Sequence, residues 1–312
     1  MSLLRIGTRG SALALAQSTH VKKRLEALSS DLQVELRIIK TTGDRLADAS
    51  LASIGGKGVF TKELEEALLS KTVDLAVHSL KDLPTELPAG LTVGAILERE
   101  DPRDCLVSRF GEQLMELPRG AVIGTSSLRR QAQIRAVKKG ICLEDLRGNL
   151  DTRLARVAAG DYSAVVVAYA GVRRLGRAEE VTEVVPPTLI LPAPGQGFVA
   201  IEIRADDPDT LKWVGQLNHL PGQQAAAAER SFLAALGGGC RVPIAAYARE
   251  EAGQLILDGR VTSVNGKNDV KGTETGLPAN AKKIGHALAQ RFLTQGALEI
   301  LETLPSGRGP WN

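Results

Sequence analysis

Ile6-Gly7-Thr8-Arg9 and, 117 residues later, Ile123-Gly124-Thr125-Ser126 occupy the same place, where a short apolar run turns through glycine into a helical pattern. Around the first, Leu3 to Gly7 reads as a strand and Ser11 to Leu28 as a helix striped by Ala14, Val21, Leu25 and Leu28, with Ser11 as N-cap. Val34 to Ile39 is the next strand. Thr41 to Gly58, with four glycines, reads as a loop, and a helix with Phe60, Leu64 and Leu68 in register follows it. Leu75 to Ser79 and Leu91 to Leu97 are further strands, so the βαβαβ order predicts a mostly parallel sheet flanked by helices. Around the second tetrapeptide the order repeats: Ala121 to Gly124 strand, Leu128 to Lys138 helix, Ile141 to Leu146 strand, Leu150 to Ala159 helix, Ala164 to Tyr169 strand.

Two similar α/β domains are therefore expected. Polar or proline-rich linkers, Glu98 to Asp104 and Pro186 to Gly197, lie between them. Phe198 to Ile203 reads as a strand returning to the first sheet, which makes two crossings and a hinge. From Ala225 to Leu236 an alanine-rich helix leads to Gly237-Gly238-Gly239-Cys240. The strands Ile244 to Ala248, Gln254 to Leu257 and Val270 to Thr275, with a helix from Ala281 to Leu301, suggest a small α+β third domain. The fold class is thus α/β, two similar doubly wound domains joined by a double-crossing hinge plus a small α+β C-terminal domain. The expected bounds are 1–98 plus 198–217, then 103–192, then 220–312.

The 312 residues, 43% hydrophobic and 24% charged, suit an ordinary globular protein and exclude disorder and fibrous repeats. The longest apolar stretch, Ala164 to Val172, is far shorter than the roughly 20 residues a membrane span needs. Arg9 interrupts the apolar N-terminus that could mimic a signal peptide, and the expected location is the cytoplasm. Cys105, Cys142 and Cys240 are odd in number and far apart, so neither a disulfide framework nor a CxxC metal pair is expected. With histidines only at 20, 78, 219 and 286, a metal site would need widely separated segments, and none is expected.

The net charge of +3 is unevenly spread: Ala121 to Arg177 holds 11 basic and 4 acidic residues, a local +7 that leaves −4 for the rest. That segment is built to meet anions. Arg9, Arg129, Arg130, Arg147 and Arg153 each sit just after a strand or at the start of the next helix, where an open α/β sheet faces its ligand crevice. Any one arginine is more simply a solvated charge, but five at equivalent positions point to carboxylate binding by guanidinium forks and helix N-termini. Nucleic acid is not expected, because aromatics are only 3%.

Three local patterns remain. Gly195-Gln196-Gly197-Phe198-Val199-Ala200 fits a relaxed dinucleotide fingerprint but follows prolines and opens a strand, so it fails on context. His78-Ser79-Leu80-Lys81-Asp82-Leu83-Pro84 ends a strand with a carboxylate beside cations; Asp82 alone would be a turn former, and His78 a satisfied interior histidine. Cys240 follows three glycines and looks presented, whereas Cys105 and Cys142 read as core residues.

Together these residues resemble the porphobilinogen deaminase family, from Ile6-Gly7-Thr8-Arg9 through Gly55-Gly56-Lys57-Gly58, His78-Ser79-Leu80-Lys81-Asp82 and Glu100-Asp101-Pro102-Arg103-Asp104. The likeness continues through Gly124-Thr125-Ser126-Ser127-Leu128-Arg129-Arg130 and Leu146-Arg147-Gly148-Asn149 to Glu229-Arg230 and Gly238-Gly239-Cys240. The resemblance implies a three-domain enzyme, like periplasmic binding proteins in its two α/β lobes, that condenses four porphobilinogen molecules head to tail, with loss of ammonia, into hydroxymethylbilane. It implies a dipyrromethane cofactor attached through Cys240 and held by Lys81, Arg129, Arg130, Ser127, Thr125, Arg147 and Asp44. Asp82 is the implied catalytic residue, assisting loss of ammonia, stabilising the azafulvene cation and helping to deprotonate the attacked pyrrole. Arg9, Ser11, Arg147, Arg153, Gln196, Lys57 and Phe60 are the implied substrate contacts.

Each pyrrole carries an acetate and a propionate, which gives the arginines their reason. Departures from the family pattern are Leu80, where methionine is expected, and Phe198, where a small residue is usual. A small polycarboxylate is then the partner, with neither nucleic acid nor membrane, and a monomer is expected. The alternative is a hinged anion-binding protein without catalysis.

Overall fold

The computed structural model describes residues 2–42, 61–238 and 242–303. They divide into two compact units, Met1–Glu100 with Phe198–Gln223, and Asp101–Gly197 with Gln224–Asn312. The regions expected as separate second and third domains lie, from Gln224 on, in one unit.

In the first unit β1 (Ser2–Thr8), α1 (Ala12–Glu26), β2 (Leu32–Ile38), α2 (Lys62–Leu69), β3 (Leu75–Ser79), β4 (Leu91–Ile96) and β10 (Val199–Arg204) build a sheet of order β2-β1-β3-β10-β4. β1 runs parallel to β2 and β3, while β10 lies antiparallel between β3 and β4. Four strands thus share one direction, and the returning strand is the exception. Leu4, Ile6, Leu75, Val77, Ile201 and Ile203 face Val21 and Leu25 of α1. On the opposite face Leu64 and Leu68 of α2 pack with Ala76 and Leu91. β10 is buried along its whole length, which is why it reads as an apolar run rather than an alternating one.

The second unit repeats this plan. β5 (Asp104–Ser108), β6 (Val122–Gly124), α3 (Leu128–Val137), β7 (Cys142–Glu144), α4 (Leu150–Ala158), β8 (Ala164–Ala168), the short α5 (Tyr169–Arg174) and β9 (Glu183–Val184) give a sheet of order β7-β6-β8-β5-β9. Here β5 is the strand lying antiparallel, between β8 and β9. In both sheets, then, the antiparallel strand is the one that begins just after the chain passes from one unit to the other. The glycines of the two tetrapeptides do the same work: a Cβ at Gly7 would stand 3.1 Å from Val73, and one at Gly124 2.8 Å from Leu146 and 2.9 Å from Tyr162.

α6 (Pro208–Val214) follows β10, and α7 (Leu220–Ala235) leads into a meander of β11 (Ile244–Glu251), β12 (Gln254–Thr262) and β13 (Asp269–Gly276). Phe232 and Phe292 meet edge to face, 5.2 Å between centroids, between α7 and α8 (Ala281–Thr294). The single helix expected from Ala281 to Leu301 is broken at Gly296, whose φ of 91° starts a separate α9 (Ala297–Glu302). Cys142 is exposed, not a core residue, because it opens the edge strand β7. Among the described residues no helix is long and apolar enough to cross a membrane.

Gly124→Ala should lower stability by about 1–3 kcal/mol, because the new methyl group must displace Leu146 and Tyr162 in a packed core. Chemical denaturation of the variant beside the wild type measures the loss.

Candidate functional site

At the carboxyl ends of β1 and β3, which pair side by side, the first unit gathers Arg9, Ser11, Lys81 and Asp82. Ser11 caps α1 as its sequence position suggested, its hydroxyl accepting from the Ala14 amide at 3.4 Å. β3 runs straight into a 3-10 turn, Leu80–Asp82. That turn is tied down by the Leu80 amide donating to the Phe198 carbonyl at 3.1 Å and by Gln17 of α1 donating to Ser79 Oγ at 2.9 Å. Asp82 stands exposed at its end and makes no hydrogen bond or ion pair with the other described residues. Phe198, the departure from the family pattern, is buried with the Arg99 guanidinium 4.3 Å above its ring.

In the second unit two strand-to-helix turns carry the other predicted residues. Thr125 is buried, with its Oγ1 accepting from the Ser127 amide, while Ser127 caps α3 by accepting from the Arg130 amide. Asn149 caps α4 through the Thr152 amide, and Arg153 Nε donates to the Gly148 carbonyl at 3.0 Å. Gly148 needs its freedom here, with φ of 99°. Arg147 Nη1, between these turns, is buried and has no hydrogen-bond partner among the described residues.

Arg129 and Arg130 are both buried in an ion triad with Asp104. Arg129 Nη1 donates to Asp104 Oδ2 and to the Leu191 carbonyl, each at 2.7 Å. Arg130 reaches Asp104 Oδ1 through Nε and Nη2 and the Val166 carbonyl through Nη1. Gln196 Nε2 completes the node, donating to Asp104 Oδ1 at 2.9 Å and to the Pro102 carbonyl at 2.7 Å. Burial alone would raise the Asp104 carboxyl, but the charges of Arg129 and Arg130 outweigh it and hold the group well below the usual carboxylate range. Sequence reading passed over Asp104 because it lies in an apparently polar linker. Its signal is the apolar run Cys105 to Val107 directly behind it.

Asp44, Lys57, Phe60 and Cys240 lie outside the described residues. Two residues before Cys240, however, the chain is closely held. The Gly237 and Gly238 amides donate to the Ala234 and Leu233 carbonyls, closing α7 in a Schellman-type end. A Cβ at Gly238 would stand 2.6 Å from Leu233 and 2.7 Å from Ile244. Gly238 thus serves tight packing, and Gly237 supplies the positive φ of 65° that ends the helix. Cys105, by contrast, is a core residue as expected, and burial pushes its thiol up to about 12.

Residues 4–212 match the family model described as "Porphobilinogen deaminase, dipyromethane cofactor binding domain", and residues 223–294 match "Porphobilinogen deaminase, C-terminal domain". A protein of Syntrophomonas wolfei named porphobilinogen deaminase is 48% identical over 301 residues, 96% of this chain and 98% of that one. Its namesake from Syntrophobacter fumaroxidans is 47% identical over 302 residues, 97% and 98% of the two chains. Among solved structures, the methionine-binding protein MetQ matches at a TM-score of 0.42 and 12% identity over 73% of this chain and 94% of that one, too weakly to carry an argument.

Asp104→Asn should cost about 3–5 kcal/mol at neutral pH, since it leaves two buried guanidinium groups without their counter-charge. The folded-state pKa is depressed, so this stabilisation is present above the ordinary value of 3.8 and lost as pH falls below it. Unfolding free energies of the two proteins should therefore converge in acid.

Proposed function

Because the chain belongs to the porphobilinogen deaminase family, we infer that it is a transferase of porphyrin and heme biosynthesis. It condenses four porphobilinogen molecules head to tail, with loss of ammonia, into linear hydroxymethylbilane on a dipyrromethane primer. The match to both family domains over nearly the whole chain carries this reading and sets aside a hinged anion binder without catalysis. A monomer acting in the cytoplasm is part of the same proposal.

The described residues suit a primer rich in carboxylates. Arg147 offers a buried guanidinium nitrogen with no partner, and Thr125 and Ser127 stand at the start of α3, where the helix end adds partial positive charge. We assign Lys81, Thr125, Ser127 and Arg147 to holding the primer, with Asp44, and Cys240 to its attachment. Arg129 and Arg130, placed in the same set by the resemblance, act on it by holding the start of α3 on Asp104. When bound, the primer supplies the pyrrole carbon to which the first unit is joined. Arg9, Ser11, Arg147, Arg153 and Gln196, with Lys57 and Phe60, are assigned to the substrate; arginine forks take its carboxylates bidentately.

Asp82 is assigned the chemistry. Its carboxylate, uncommitted to any described partner, can accept a hydrogen bond from the departing ammonium group and hold the charge of the cation left on the substrate. It can then accept the proton released by the attacked pyrrole carbon. The arginines are assigned to the remote carboxylates, and Asp82 to the reacting carbon.

Two outcomes test the reading. The active protein should be heavier than its sequence by one dipyrromethane, and Cys240→Ser should lose both the added mass and turnover; an active enzyme of bare-sequence mass would refute the attachment. Asp82→Asn keeps the shape and loses the charge, so turnover should fall by at least a hundredfold, about tenfold for each 1.4 kcal/mol. Asp82→Glu should rank between the two. Steady-state rates give the order, and an Asn variant within about threefold of wild type would make Asp82 a turn residue only.

A further inference from the structure

The side of the first sheet that faces α2 carries buried titratable groups that the reaction above leaves unused. β3 and β10 pair with Ala200 opposite His78 and Glu202 opposite Ala76, so His78 and Glu202 lie diagonally on one face. His78 is 6% exposed and Glu202 0%. His78 Nε2 lies 2.9 Å from Glu202 Oε2, yet the approach is misaligned for a hydrogen bond, and neither that nitrogen nor either Glu202 oxygen has a hydrogen-bond partner among the described residues. Glu65 of α2, also buried, faces the same layer with its Oε1 unpartnered. Burial, reinforced by the neighbouring Glu202 charge, pushes the Glu65 carboxyl up and favours its neutral form. Arg204, next on the same face of β10, is spent on the carbonyls of Leu68 and Val73 and on Asp207.

Such a cluster is poor structural cement. A buried polar group without a hydrogen bond costs about 1–3 kcal/mol, and apolar residues of similar volume often replace a buried ion pair at no loss. Its place suggests what the cost secures. β3 leaves His78 through Ser79 into the turn that ends at Asp82, and the Leu80 amide of that turn donates to Phe198, the residue just before β10. His78 and Glu202 thus stand on the two strands that frame the turn. Asp82, exposed and without described partners of its own, is placed by the backbone beneath it.

We propose that His78 and Glu202 are a positioning pair, whose buried contact holds β3 against β10 under the Lys81–Asp82 turn and so aims the Asp82 carboxylate at the reacting carbon. This rests on the reading of Asp82 as the catalytic residue. The pair touches neither substrate nor primer.

The test compares holoenzyme carrying Glu202→Gln, Glu202→Asp, His78→Gln and the double Gln variant. Each single Gln variant should lower kcat tenfold or more with KM within about threefold and a normal intact mass. Amide hydrogen exchange at Leu80 and Leu83 should quicken about fivefold or more. Glu202→Asp should recover part of the rate. The double variant, which leaves no unpaired buried charge, should be no slower than the worse single one. A Glu202→Gln enzyme within twofold of wild-type kcat, a KM that rises as kcat falls, or losses that multiply in the double variant would overturn the proposal. If a single variant does not fold, the double variant decides alone: wild-type kcat and exchange would refute the pair. A slow Asp82→Asn with a normal Glu202→Gln sinks this inference only, whereas a fast Asp82→Asn sinks the reading beneath it.

Discussion

Asp104 is wholly enclosed, and a carboxylate so placed stays ionised only if opposite charge and hydrogen bonds reach it. Arg129 and Arg130 bring the charge from the first turn of α3, and Gln196 brings an amide from the second linker. The dependence runs both ways. The carboxylate fixes the helix start that presents Thr125 and Ser127, and it joins both linkers, since Gln196 also grips Pro102 and Arg129 also grips Leu191. Gln133, one turn further along α3, adds a reciprocal pair of bonds to Leu191. One buried charge thus registers a helix, a strand and two chain passages against one another.

The first unit uses the same backbone plan with a different solution for its buried charge. Both sheets place an antiparallel strand fourth in order, both turn into their first helix, β1 into α1 and β6 into α3, through a crowded glycine and a buried threonine, and both cap that helix with serine. In the second unit the charge at the antiparallel strand is saturated with hydrogen bonds. In the first, His78, Glu202 and Glu65 are packed together with atoms left over. A saturated node resists any rearrangement. The unsaturated one lies next to the turn that carries Asp82, where the repeat has most reason to depart from symmetry.

Much of this was legible in the sequence because periodicity reports burial directly. Leu75 to Ser79 matches β3 end for end, and the duplicated Ile-Gly-Thr turns gave the repeated plan. What escaped was structure whose cause lies far along the chain. β5 hides behind Asp104, a residue that looks like linker until Arg129, 25 residues on, is seen to neutralise it. β12 runs to Thr262, well past the expected Leu257, because Asp258 and Arg260 interrupt the apolar pattern yet still pair across an antiparallel meander. The site divides the same way. Asp82's position follows from the strand end and Pro84, but the partners of a long arginine side chain are not written at its own position.

That last point changes what the five arginines can do. Arg130 commits Nε, Nη1 and Nη2 to Asp104 and Val166, so every face of its fork is occupied. The described bonds of Arg129 all leave from Nη1, but a ligand carboxylate coming to its other nitrogens would also meet the Asp104 charge. Arg153 spends Nε on the Gly148 carbonyl and so helps to close the turn before α4. Arg147 is the reverse case, with a buried nitrogen that the fold supplies and nothing in the described fold uses. A buried donor without an acceptor is costly, and an arriving carboxylate would relieve that cost. Equivalent places after strands thus hold unlike arginines: Arg130 has every nitrogen engaged by the fold, and Arg147 has a buried nitrogen with no described acceptor.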